Sequence, residues 1–123
     1  MTFCVSGFEG LTIDTKTSTL YAMLQTATLQ DGGAEKETSR YTRLVAYDVT
    51  NEPAELVGEW VVPLPQSKKS KTRGQSEIHF IGKDIFLVLS RDGDGKGSDE
   101  TESSYKSVFL SSAVCVLVGL IVL

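Results

Sequence analysis

The sequence is short of the residues that build the commoner enzyme sites. It holds one histidine, one tryptophan, three prolines and two cysteines in 123 residues. One histidine excludes a multi-histidine metal centre. Cys4 and Cys115 make neither a C-x-x-C pair nor a disulfide framework, so they point to no metal or redox chemistry. P-loop, G-x-S-x-G and G-x-G-x-x-G signatures are missing, and no Ser/His/Asp triad can be assembled. No stretch before residue 107 keeps a helical period over about 11 residues. Residues 1–10 lack the basic and apolar regions of a signal peptide. The net charge of −4 gives no reason to expect nucleic acid as a partner.

What is present fits one small β-rich domain. Hydrophobic residues make up 41% and charged residues 23%, which argues against bulk disorder. Short runs rich in β-branched and aromatic residues occur at 20–24, 44–49, 56–62, 78–81 and 85–89. Turn formers such as Asp31-Gly-Gly, Asn51-Glu-Pro and Gly82-Lys-Asp separate them. This pattern predicts an all-β, mostly antiparallel fold up to residue 110. Residues 30–40 and 63–75 read as exposed loops. Lys68, Lys69, Lys71 and Arg73 in the second have no interleaved aromatics, so they read as a solvated loop rather than a nucleic-acid site.

A weak repeat runs through the strands. Glu9 matches Glu77 at an offset of 68, Leu20 matches Ile85 at 65, and Tyr41 matches Tyr105 at 64. About four short strands per unit point to β-propeller blades. The first unit shows all four strands, at 10–14, 19–25, 41–49 and 56–62, while the second shows three. Propellers close with about four to eight blades. The expectation is therefore a partial β-propeller of about two antiparallel four-stranded blades, with residues 1–106 forming an incomplete propeller domain.

The last 17 residues, 107–123, are a different material, because they carry no charge. As a helix, residues 108–123 would span about 24 Å, slightly less than a bilayer core of about 30 Å. Three readings of this tail stand side by side. It is a helical membrane anchor, or a strand of the second unit up to Leu110 followed by residues foreign to the fold, or a lipid-anchor signal. The first two are compatible with each other.

Few residues are candidates for chemistry. Glu9 lies between glycines in Gly7-Phe-Glu-Gly10, and Glu77 occupies the matching place before His79. In a propeller the innermost strands line the channel, so equivalent carboxylates would converge there and call for a cation, a basic partner or a shared proton. His79 shares a strand face with Glu77 by alternation. Arg43 and Arg91 are the candidate basic partners, and an Arg at a strand end can hold phosphate or carboxylate by a bidentate fork. The run from Asp92 to Glu100 begins like a calcium loop, but Lys96 and Ser103 stand where ligands are required, so no metal site is assigned.

The runs GFEGLTID (7–14), TLYAMLQ (19–25), RYTRLVAYDV (40–49), LVGEWVVPLPQ (56–66), SEIHFI (76–81) and FLVLSRDG (86–93) together resemble the phytase-like domain proteins, also described as having esterase-like activity of phytase. The likeness covers about residues 3–110. It implies a β-propeller much longer than this chain, a polar central channel, and hydrolysis of phosphate or other esters. Glu9, Gln25, Arg43, Glu77, His79, Arg91 and Asp92 fall within its recurrent motifs. The expected roles are Glu9, Glu77 and His79 in catalysis and Gln25, Arg43, Arg91 and Asp92 in substrate binding. A divalent cation such as calcium is admitted in the full-length protein, and a phosphate ester is the expected small-molecule partner. The competing expectation is a non-enzymatic propeller piece held at a membrane by residues 108–123.

Overall fold

The computed structural model describes residues 7–35, 38–65, 73–92, 106–112 and 119–122. Eight strands form two four-stranded antiparallel meanders. The first sheet has the order β1 (Phe8–Asp14), β2 (Thr19–Leu24), β3 (Tyr41–Asp48), β4 (Glu55–Pro63). The second has the order β5 (Arg73–Gly82), β6 (Ile85–Asp92), β7 (Lys106–Ser112), β8 (Gly119–Val122). The four strands of the first sheet fall where the hydrophobic runs and turn residues place them.

The two sheets meet along β1 and β5, where the contacts advance together along both strands, from Gly10 beside Ile78 to Thr12 beside Phe80. The Phe80 N–H donates to Thr12 Oγ1 at 3.1 Å, and the Leu11 N–H donates to Glu77 Oε1 at 3.2 Å. Glycine at position 10 permits this approach. A Cβ there would sit 2.8 Å from Gln75 Oε1, closer than real Cβ contacts come, and a tight 3.0 Å from the γ carbons of Ile78. Gln75 is wholly buried and ties the sheets together. Its main-chain N–H donates to the Gln25 carbonyl at 2.9 Å, and its side-chain Nε2 donates to the carbonyls of Met23 at 2.9 Å and Leu24 at 3.1 Å.

Strand alternation sends one face of each sheet into a shared core. Tyr21, Met23, Leu44, Ala46, Val62 and Leu64 pack against Ile78, Phe86 and Val88, with Trp60 and Phe80 closing the margin. The Tyr21 ring meets Phe86 edge-on at 4.8 Å and stacks on Phe80 at 5.5 Å. Such pairs add to burial through the ring quadrupole.

This packing corrects the register of the sequence repeat. In a stack of blades, equivalent residues point the same way around the stack. Tyr21 and Phe86 lie 65 apart, the offset of Leu20 and Ile85, yet they face each other. A one-residue slip reverses every side chain in a strand, so a 65-residue offset does not carry the second strand of one sheet onto that of the next. The 64-residue offset of the third strands does. Leu44 points into the core, whereas Val108 is paired with the exposed Leu89 on the far face of the second sheet.

The C-terminal segment follows the strand reading up to Leu110, and the helical reading is without support among the described residues. Residues 106–112 form β7, fully paired with β6, and residues 119–122 form β8 on its far edge. The second sheet therefore has four strands rather than three. An uncharged run of valine, leucine and isoleucine is compatible with a helix or a buried strand, and the unpaired edge of β6 decides between them. No helix among the described residues is long and apolar enough to cross a membrane.

Candidate functional site

Two β-bulges shape the first halves of β1 and β5, the edge strands along which the two sheets meet. The register shifts between Phe8 and Gly10 in β1, and between Gln75 and Glu77 in β5. Glu9 and Ser76 are thus the extra residues, and a bulge re-aims the side chain it carries. Arg91, at the end of β6, holds both. Its Nε donates to Ser76 Oγ at 2.6 Å, and its Nη2 lies 3.6 Å from Glu9 Oε2. The second Glu9 oxygen accepts from Gln25 Nε2 at 2.9 Å, just beyond β2. Four residues from β1, β5, β6 and the end of β2 thus form one network across both sheets. Ion pair and network are half-exposed, with Glu9 at 38% and Arg91 at 24% side-chain accessibility, so a solute reaches them.

The two glutamates have different partners. Glu77 turns one oxygen toward the main chain, accepting from the Leu11 N–H at 3.2 Å and from its own neighbour, the Ile78 N–H, at 3.0 Å. It bridges β1 and β5, whereas Glu9 faces a guanidinium. This arrangement does not suit the divalent cation admitted from the sequence, because a fixed positive charge already stands on Glu9. Among the described residues no group of three or more His, Cys, Asp or Glu side chains is placed to hold a metal ion.

The other candidates are distributed elsewhere. His79 is exposed on the same face as Glu77, opposite Leu87, and outside the Glu9 network. Asp92 ends β6, its backbone paired with Arg73, and its side chain lies outside the described residues, as do the calcium-like loop at 93–100 and Lys68, Lys69 and Lys71. Arg43 is not brought to Glu9. It clamps Asp31 through Nε at 2.6 Å and Nη2 at 2.5 Å, and reaches Glu59 through Nη1 at 2.5 Å. Thr28 caps the short 3-10 turn Leu29–Asp31 and donates to the same Asp31 carboxylate. Ser76 was not legible as a site residue, because its meeting with Arg91 depends on a bulge that strand alternation does not reveal.

The Arg43 fork, followed by the Thr28 hydroxyl, holds the Asp31 carboxyl below its ordinary value. A carboxyl depressed in the folded state contributes stability above its unfolded pKa of about 3.9 and loses it as pH falls through the folded value. Asp31→Asn is therefore expected to lower the thermal midpoint at pH 7, and the gap to the parent protein should close below about pH 4. Thermal melts from pH 2.5 to 7.5 check this; a gap independent of pH would assign the loss to something other than the Asp31 charge.

The sequence model of the phytase-like family, described as esterase-like activity of phytase, matches residues 5–113. The chain belongs to the phytase-like family. The match takes in the whole Glu9–Arg91 network and continues through β7. An uncharacterized secreted protein of Arthroderma benhamiae (strain ATCC MYA-4681 / CBS 112371) is 38% identical over 110 residues, which are 81% of this chain and 22% of that protein. The phytase-like chain thus spans about a fifth of the length of that relative. No solved structure matches it.

Proposed function

We propose that the chain is a two-sheet segment of an ester-hydrolysing β-propeller, in which Arg91 binds the anionic group of the substrate. The observation that carries this reading is the Arg91 network, which joins both sheets in the first halves of β1 and β5. Arg91 is fixed by Ser76 on one side and by Glu9 on the other. A planar guanidinium held in this way presents N–H donors in a set direction, which suits phosphate or carboxylate oxygens. Glu9 and Gln25 act as positioning residues for it. The family description supplies the esterase part of the reading.

Propeller stacking is supported by the parallel course of β1 and β5 and by the outer faces of both sheets. Leu11 and Val61 are 58% and 60% exposed on the first sheet, and Leu89 is 37% exposed on the second. Apolar side chains open on two opposite faces suit a member of a longer stack, where each sheet covers the next. Ester hydrolysis is accordingly a property of the longer protein. Export from the cell is part of the same proposal, motivated by the name of the Arthroderma protein.

The test is made in the longer protein. Arg91→Met is expected to lower kcat/KM for 4-nitrophenyl phosphate roughly 10–100-fold, the equivalent of about 1.5–3 kcal/mol for a charged hydrogen bond. Hydrolysis of the neutral 4-nitrophenyl acetate should change far less, and Arg91→Lys should retain part of the phosphate activity. Equal losses on both esters would remove Arg91 from anion binding.

A further inference from the structure

A second concave site lies at the other end of β1 and β5, where the β1–β2 and β5–β6 turns come together. It is an open cleft of about 600 Å³, with Ile13, Phe80 and Ile85 among the residues that wall it and Lys16 and Lys83 contributed by the two turns. We infer that this cleft binds a small amphiphilic anion, an aryl or short alkyl body carrying one phosphate or carboxylate group.

Three features combine. The first is the pairing of an apolar wall with two lysines from the turns of different sheets. Among the described residues neither lysine has an ion-pair partner. The second is the state of the carboxylate in the lining. Asp14 also lines the cleft, but its oxygens are taken up by its own turn, accepting from the Lys16 N–H at 2.9 Å and the Thr17 hydroxyl at 2.9 Å. The third is the backbone. Lys83 and Asp84 both adopt left-handed conformations, with φ of 50° and 57°. A two-residue hairpin turn of this kind favours Asn-Gly, and each residue with a larger side chain costs about 1 kcal/mol there. A lysine held in a strained position beside a cavity is the pattern of a ligand contact.

The charges also explain why the ligand needs an apolar body. Asp84 and Asp14 both act on Tyr21, whose phenol is pushed up by burial first and by these two charges second. Negative charge near the turns offsets part of the lysine field. A bare anion therefore gains little, whereas a ring or chain on the Ile13, Phe80 and Ile85 wall adds burial. This site is independent of the Arg91 network.

The experiment is a titration of the full 123-residue chain with phenyl phosphate, followed by amide chemical shifts, with inorganic phosphate and phenol in parallel. Saturable shifts at residues 13–16 and 80–85 with phenyl phosphate, at least fivefold tighter than with either control, are expected. Lys83→Asn is the decisive variant, because asparagine tolerates the left-handed backbone while removing the charge. It should melt higher than the parent protein and bind phenyl phosphate at least fivefold more weakly. Unchanged binding in Lys83→Asn overturns the inference, as do shifts centred on Leu11 and Val61, which would place the ring on the open sheet face.

Discussion

Phe86→Ala is expected to destabilise the protein by about 3–5 kcal/mol, the cost of removing a buried aromatic and leaving its cavity. Phe86 is 1% exposed and holds the centre of an aromatic trio, with Tyr21 at 4.8 Å and Phe80 at 5.3 Å. These rings come from β2, β5 and β6, so the cavity would open at the junction of the two sheets. Domains of this size are stable by about 5–15 kcal/mol, so the loss is a large share of the total. Urea unfolding measures it as a lower midpoint. Leu89→Ala, three positions along the same strand but 37% exposed on the far face, is the control. It should cost less than about 1 kcal/mol. Similar losses in the two variants would mean that the interface between the sheets has been placed on the wrong face of β6.

Gln75→Glu is expected to be as damaging at neutral pH and much milder in acid. The side chain is wholly buried, and its Nε2 donates to two main-chain carbonyls from β2. A carboxylate there would face two main-chain oxygens, which costs about 3–5 kcal/mol for an uncompensated buried charge. Such a carboxyl titrates above its unfolded value of about 4.3. The variant is therefore least compromised below about pH 4, where the group is neutral and can donate to one carbonyl. Its deficit grows as pH rises and levels off above the raised folded value. Gln75→Met removes the same hydrogen bonds without adding charge, so its deficit should not vary with pH. Chemical denaturation of both variants at pH 4 and pH 7.5 separates the two effects; a Gln75→Glu deficit that is the same at both values would show that Gln75 is hydrated rather than sealed between the sheets.

Much of the fold was legible because strand signals are local. Alternation around Tyr21, Met23, Leu44 and Ala46, with turn residues at the run ends, is enough to place β1 to β4. The run from Ile85 to Leu89 likewise marks β6. The tail was ambiguous for a physical reason. Valine, leucine and isoleucine without polar punctuation satisfy a buried strand and an apolar helix equally, and only pairing with β6 makes β7 a strand. Of the candidate residues, Glu9, Gln25 and Arg91 are brought together by the structure.

The sequence by itself determined the all-β class, the strand positions of the first sheet, membership of the phytase-like family and the charged residues available to the site. These depend on side-chain periodicity and on motifs, which are written along the chain. Only the tertiary structure decided which charges meet. Two bulges turn Glu9 and Ser76 toward Arg91, while Asp31 and Glu59 draw Arg43 away. A single extra residue in a strand reverses the side-chain face, and that event leaves no mark in hydrophobic periodicity. The same sensitivity explains why a 65-residue repeat set Tyr21 and Phe86 face to face rather than in step.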